Sequence, residues 1–408
     1  MCECKRMLCG LTLCLVLVTF TTGCWNRREP ENLAHALGIG FDICDQGYKA
    51  YLQLSDSLGE ETGGNGPQQD NFTSSFWALS ATGRTPYEAI FNTAPFLTKE
   101  LSVAHVGIVV ISEELAKKGI SPVLDTLERE RTLRTTTRLF ILEGDMEKMT
   151  QAQIPLESVS SIGISRAIGT IERERSILPV KYATTIIDCL AQPGKEPLIP
   201  KITLIDESDI EESSEEPNPK PPLKISGGAV FKGDRLVGWM DERETRGWTF
   251  LTNMTRRAVM SVKLPKSPED PEDAEEEYLT VVISQVETEL KAKKDGNGSE
   301  FALKIFADGR IEDKTAPGDF LRDRDKVASM NRRTAAAIQN DITKALKKAQ
   351  SLNADVFGLG WLLYRTQYKQ WQQVEDRWDE IFPNVAVDMD VRVDIRRSGL
   401  VNRVGAVK

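Results

Sequence analysis

The run HVGIVVIS, residues 105–112, constrains the fold more than any other stretch of the chain. Its aliphatic residues are continuous rather than alternating, so a strand built from it must be covered on both faces. A layered α/β arrangement provides two such covers. The flanking sequence supplies the layers. EELAKKG follows as a short helix closed by Gly119, and SPVLDTLERER opens a second helix with Pro122 at its first position. TTTRLFIL then returns as a further strand. Upstream, LAHALGIGFDIC and YKAYLQLSDS flank Asp45-Gln46-Gly47 as a hairpin, and NFTSSFWALSATG reads as a third strand. Thr85, Pro86 and Glu88 form the N-cap, first position and third position of another helix. Further helices are expected around residues 159–171 and 181–191. Residues 59–71, Gly-rich and polar, read as an exposed loop.

DESDIEESSEEPNPKPPL, residues 206–223, has no core-forming pattern and reads as a solvated linker. It divides the chain into an N-terminal α/β part, residues 24–205, and a C-terminal α/β part, residues 223–398, with 206–222 as linker. The second part opens with KISGGAVFKGDRLVGWM, a hairpin turning at Lys232-Gly233-Asp234. SPEDPEDAEEE, residues 267–277, is an acidic loop within it. YLTVVISQVETEL and EFALKIFA flank DGNGS as a second hairpin. Residues 325–350 form a long helix whose apolar stripe is Val327, Met330, Ile338, Ile342, Leu346 and Ala349. NVAVDMDVRVDIR, residues 384–396, alternates strictly, with Val385, Val387, Met389, Val391, Val393 and Ile395 on one face. The fold class is mixed α+β, in two to three domains of mixed sheets with packed helices.

The first 23 residues stand apart. Lys5 and Arg6 precede an apolar run over residues 7–18, which suits a secretory signal and falls short of the roughly 20 residues of a spanning helix. Thr-Thr-Gly-Cys follows. It resembles the lipobox of bacterial lipoproteins, with Thr21 where Leu is usual. In such signals the cysteine thiol receives diacylglycerol, and cleavage makes that residue the new, acylatable N-terminus. Cys24 is therefore the expected lipid-attachment residue and residues 1–23 the signal peptide. At about 0.8 kcal/mol per buried methylene, two acyl chains make a stable anchor where one is marginal. Of the seven cysteines, only Cys44 and Cys189 lie beyond Cys24, as two free thiols or one bridge.

Acidic residues outnumber basic ones, 61 to 52, which disfavours nucleic acid as a partner. The chain has two histidines, His35 and His105, and none of the common metal-protease, nucleophile-elbow or phosphate-loop motifs. No catalytic residue, cofactor or metal is expected. His105 is expected as a core histidine opening the buried strand. Arg129, Arg131, Arg134 and Arg138 form either an anion site or, more simply, a charged face pairing with Glu128 and Glu130. In WLLYRTQYKQWQQVEDRWDEIF, the residues Trp361, Tyr364, Tyr368, Trp371, Trp378 and Phe382 make one stripe if the segment is a single helix. Such a stripe is core or a partner interface, and Tyr368 and Trp371 are the candidate interface residues.

Four blocks taken together resemble the Ger(x)C family, the C subunits of bacterial spore germinant receptors. They are GCWNRREPEN; LSVAHVGIVVISEELAKKGISPVLDTLERERTLR; GGAVFKGDRLVGWMDERETRGW; and DVFGLGWLLYRTQYKQWQQVEDRWDEIF followed by IRRSG. Asn26, Pro30 and the long acidic inserts depart from the family pattern. The resemblance implies mixed α/β domains, three in number, and a non-enzymatic lipoprotein on the outer face of the spore inner membrane. Its implied partners are the membrane-embedded A and B subunits, with nutrient binding assigned to the B type. An extracellular solute-binding lipoprotein or a cell-wall enzyme on the same anchor is the alternative.

Overall fold

The structure, a computed structural model, describes residues 32–55, 77–152, 160–179, 182–205, 223–264, 276–294, 299–315 and 323–398. Cys24, the Gly-rich stretch 59–71, the acidic segment 206–222 and most of the second acidic insert lie outside these residues.

Strands β1 (Leu33–Cys44) and β2 (Gly47–Ser55) form the expected hairpin, with Cys44 opposite Gly47. Gly47 takes φ +122°, a conformation that favours glycine. β3 (Trp77–Gly83) adds antiparallel to β2. Helix α1 (Pro86–Phe91) begins where Thr85 accepts the Glu88 N–H at 3.1 Å; the Glu88 carboxylate reaches back to Arg84 N at 2.8 Å. The three-residue β4 (Glu100–Ser102) pairs with the start of β1, and β5 (Ile108–Ser112) pairs with its middle, both parallel. Then come α2 (Glu113–Lys118), α3 (Ser121–Arg129) and β6 (Arg138–Glu143). α3 starts at Ser121, so Pro122 is its second residue rather than its first. α4 (Met146–Gln151), α5 (Ser160–Glu174) and α6 (Ala183–Leu190) lead to β7 (Leu198–Leu204). A hairpin of β8 (Leu223–Lys232) and β9 (Arg235–Met240) completes a sheet ordered β3-β2-β1-β5-β6-β7-β8-β9, with β4 beside β1. Its four central strands are mutually parallel and its flanking ones antiparallel.

The two-face cover demanded by the aliphatic run is present. Val109 and Ile111 pack with Leu115 of α2, Val123 of α3 and Ile186 of α6. Ile108 and Val110 point the other way, onto Met146 of α4 and Ile164 of α5. All five strand residues are buried, each large aliphatic contributing roughly 1.5–3 kcal/mol. His105 corrects the expectation made for it. The strand begins three residues later, and His105 is an exposed loop residue because the turn before it buries Val103 and Val106 instead.

β7 and β8 pair antiparallel from Leu198↔Val230 to Leu204↔Leu223. The acidic segment expected as an interdomain linker therefore connects neighbouring strands of one sheet. Beyond β9, Asp241 and Glu244 form a reciprocal capping box at the start of α7 (Glu242–Leu251). The second sheet is ordered β10 (Ala258–Lys263), β11 (Tyr278–Ala292), β12 (Glu300–Lys314) and β13 (Ala386–Ser398). α8 (Arg324–Ser351) lies across it, burying Met330, Ile338, Ile342, Leu346 and Ala349 as its periodicity predicts. Val391, Val393 and Ile395 of β13 meet that stripe, and Leu198, Val230 and Met240 extend this core onto the large sheet. The chain is mixed α+β, with two sheets sharing the core beneath α7 and α8.

Candidate functional site

The segment after α8 contains the aromatic series, and the structure breaks it. Instead of one helix there are α9 (Leu359–Thr366), α10 (Tyr368–Val374), a 3-10 turn over Glu375–Arg377 and α11 (Trp378–Ile381). The first break is at Gln367, which leaves helical geometry at φ −140°, ψ 56° while its side-chain amide donates to Ala292 O at 2.9 Å. That long-range bond to β11 outweighs the local helical pattern, and the single stripe becomes two groups. Trp361, Tyr364 and Tyr368 form an outer ladder, the first pair stacked at 5.0 Å and the second edge-on at 5.4 Å. Trp371, Trp378 and Phe382 turn inward, with centroid separations of 5.7 and 6.3 Å. The two candidate interface residues are thereby separated: Tyr368 is 52% exposed and Trp371 only 2%. Trp371 is a wall of the core, so only Tyr368 of the pair has the surface an interface requires.

Asp355 organises this region. One carboxylate oxygen accepts the N–H groups of Gly358 and Leu359 at 2.9 and 3.1 Å; the other accepts Gly360 N–H at 2.8 Å and the Trp378 indole N–H at 3.3 Å. It thus satisfies the free donors at the start of α9. Gly358 takes φ +71° there, which favours glycine. Asp355 is almost wholly buried, and burial outweighs these donors, raising its carboxyl to about 7.

A loop between α6 and β7 closes onto the same point. A Cβ on Gly194 would lie 2.8 Å from Gly360 Cα and 2.6 Å from the Trp371 ring, so the approach needs glycine on both sides. Gly194 O accepts from Trp361 N at 3.2 Å, and Glu196 N donates to Asp355 O at 2.9 Å. The Glu196 carboxylate accepts Gly233 N–H at 2.6 Å, joining the β8–β9 turn. Burial pushes the Glu196 carboxyl upward, opposed by that bond and by Lys232. Lys232 itself bonds Asn353 O and pairs with Asp379, each at 2.8 Å.

These contacts border a half-open pocket of about 380 Å³ between the α6–β7 loop and the C-terminal helices. Its wall combines Trp371, Trp378 and Phe382 with the carboxylates of Glu196, Asp355, Glu375, Asp376 and Asp379. Two polar atoms of lining residues, Trp371 Nε1 and Asn353 Oδ1, are buried with no hydrogen-bond partner in the protein. The sequence carried a local signal for Asp355, an Asp three residues before a glycine at a helix start. It carried none for Gly194 or Glu196, which arrive from about 160 residues earlier.

The other sequence-marked residues do not converge. Arg129 pairs with Asp125 at 2.8 Å rather than with Glu128 or Glu130, because Asp125 is one helical turn behind it. Glu130 instead accepts from Thr132. Arg138 lies over the Tyr182 ring at 5.8 Å and donates to Ser165. Cys44 and Cys189 are free thiols. Among the described residues no group of three His, Cys, Asp or Glu side chains is arranged to hold a metal, and no helix is long and apolar enough to cross a membrane.

Comparison with known proteins accounts for nearly the whole described chain. Residues 26–204 match the family described as spore germination protein N-terminal domain, and 226–399 match spore germination B3/GerAC-like, C-terminal. Spore germination protein KC of Bacillus subtilis (strain 168) is 26% identical over 400 residues, spanning 96% of this chain and 95% of that one. Spore germination protein GerQC of Bacillus cereus is 19% identical, spanning 95% and 98%. The crystal structure of the GerBC protein superposes with a TM-score of 0.53 at 17% identity, over 90% of this chain and 99% of that one. That likeness supports the fold.

Proposed function

Because the chain belongs to the Ger(x)C family of spore germination proteins, we propose that it is the lipid-anchored, non-enzymatic C subunit of a germinant receptor. Its role in germination follows from the family. The anchor, the receptor and its partners are the proposal. The observation that carries it is the continuity of the match, which begins at residue 26, two residues after Cys24. A diacylglyceryl group on Cys24 holds the chain on the outer face of the spore inner membrane, beside the membrane-embedded A and B subunits. The relatives are named as germination proteins and no enzyme family appears among them. This favours a signalling or assembly role over the cell-wall enzyme or solute-binding alternatives.

The test is a Cys24→Ala chain expressed in a strain lacking its own copy and redundant receptors. The expected result is loss of the protein from spore membranes and loss of nutrient-triggered germination, both restored by the wild-type chain. Affinity capture of the tagged wild-type chain from those membranes should recover two multi-pass subunits. Full membrane retention of Cys24→Ala would overturn the anchor, and normal germination of the deletion strain would overturn the receptor role.

A further inference from the structure

We propose that the 3-10 turn Ala94–Phe96 is a membrane-contacting tip, seated in the lipid interface and fixing which end of the large sheet faces the bilayer. The inference rests on the lipid anchor at Cys24 and adds an orientation that the anchor alone leaves open.

Topology puts the turn beside the tether. β1 and β4 are parallel, with Leu33 next to Glu100, so the segments that feed them enter the sheet from the same end. The segment that feeds β1 starts from Cys24, nine residues before Leu33. Fully extended, it spans about 30 Å at most. A compact chain of this length is about 50 Å across. An acylated Cys24 therefore keeps the start of β1 close to the lipid, and this end of the sheet cannot lie on the far side. The segment that feeds β4 carries the turn. Phe96 is four residues before Glu100 and so no more than about 14 Å from it.

The chemistry of the turn suits that place. Phe96 is the most exposed large apolar side chain among the described residues, at 70%. Ala94 and Pro95 beside it are exposed as well. NTAPFLT, residues 92–98, has no charged residue in a chain that is 28% charged. A single exposed aromatic is ordinary on a protein surface. At the tethered end, however, an uncharged aromatic tip can leave water for the headgroup boundary with no charge to desolvate. Phe91 and Leu97 on either side pack onto the core, which gives the tip a fixed base. The surrounding charge agrees. The whole chain is −9, which an anionic bilayer repels. β5 and β6 run parallel to β1, so the loop before β6 opens at the same end as the turn. Residues 92–100 and 128–138 together hold five basic and three acidic side chains. Arg131 and Arg134 are exposed and make no ion pair among the described residues. Headgroup phosphates thus meet a locally positive surface around a neutral tip.

The experiment uses the full lipidated chain in vesicles of equal phosphatidylglycerol and phosphatidylcholine, with acyl chains either plain or brominated. In a Cys44→Ser, Cys189→Ala background, the thiol of Phe96→Cys is labelled with bimane. Phe306→Cys, at a half-exposed position on β12 of the second sheet, is labelled in the same way as the comparison. Brominated lipid should quench the label at position 96 about twofold or more and leave the label at 306 unchanged. The thermal melt of Phe96→Cys should match that of its background, because the native ring is mostly in water. A vesicle-bound chain with no quenching at 96 would overturn the orientation while the anchor stands, and would leave the turn to a protein partner. Equal quenching at 306 would also overturn it, as general adhesion of apolar surface. A chain that carries no acyl group and stays off the vesicles would overturn the anchor, and the orientation with it.

Discussion

His35 and His105, the two histidines of the chain, meet edge to face with ring centroids 4.5 Å apart. His35 lies on β1 and His105 in the loop before β5, so the pair spans neighbouring parallel strands. Burial, then His105, then Lys99 hold the His35 imidazole below its ordinary value. Its Nδ1 is also buried without a partner. The unfolded chain thus takes up a proton near pH ~6.5 while the folded chain still resists it. Stability from this group is complete above that pH and falls as pH drops through it. Thermal melts from about pH 7.5 to about pH 5.5 should therefore show a steeper loss for wild type than for His35→Gln. Equal slopes would remove the histidine pair as a cause.

Asp355 carries the opposite sign. Its carboxyl titrates near 7 when folded, against about 3.9 when unfolded. The folded state holds the extra proton between those values, so this contribution is present at low pH and lost as pH rises through 7. Asp355→Ala leaves three backbone donors and the Trp378 indole without an acceptor. A loss of about 3 kcal/mol is expected from those unmet donors. Denaturant unfolding at about pH 6 and about pH 8 should also show a smaller difference in the variant than in wild type.

What the sequence disclosed and what it hid divide along contact distance. The cover on both faces of Ile108–Ser112, the Gly47 and Gly233 turns, the α1 cap and the buried stripe of α8 all follow from neighbours within a few residues. The Gln367 break does not, because its cause is a carbonyl at Ala292 on another element. The wall of the cavity is hidden for the same reason: Gly194 touching Gly360, and Glu196 touching Gly233, are tertiary facts. The segment 206–222 marks a third limit of sequence reading. Its composition excludes it from a core, but composition is silent on whether the strands it joins are neighbours. The two family matches also meet across this segment, while the hydrogen bonds of one sheet cross it.

Gly247 fixes how closely α7 and α8 approach. A Cβ there would sit 2.1 Å from the Asp341 carbonyl oxygen, a contact no small adjustment relieves. Next to it, Arg246 and Asp341 pair at 2.7 Å, both largely buried. Helix propensity alone favours Gly247→Ala by about 1 kcal/mol. Separating the helices would disturb the pair and the core beneath them, and costs on the order of 3 kcal/mol. The steric effect wins, so Gly247→Ala should lower the denaturation midpoint. A rise in midpoint would show that the helices part easily.

Tyr368 and Trp371 stand three residues apart and should respond differently to the same change. Trp371→Ala removes a side chain 98% out of solvent and opens the cavity wall against Trp378 and Gly194. The expected cost is about 3–5 kcal/mol. Tyr368→Ala removes a half-exposed ring touching Tyr364 edge-on, and stability should stay within about 0.5 kcal/mol of wild type. The partly buried outer ladder also has the composition of an interface core, with Arg365 over the Trp361 ring at 5.8 Å. If the ladder meets the membrane subunits of the proposed receptor, Tyr368→Ala should reduce their recovery with the tagged chain while its melt is unchanged. Undiminished recovery would leave Tyr368 an ordinary surface tyrosine. A large loss of stability would assign it to the fold, because then its exposed ring would be holding α9 against α10 across the Gln367 break.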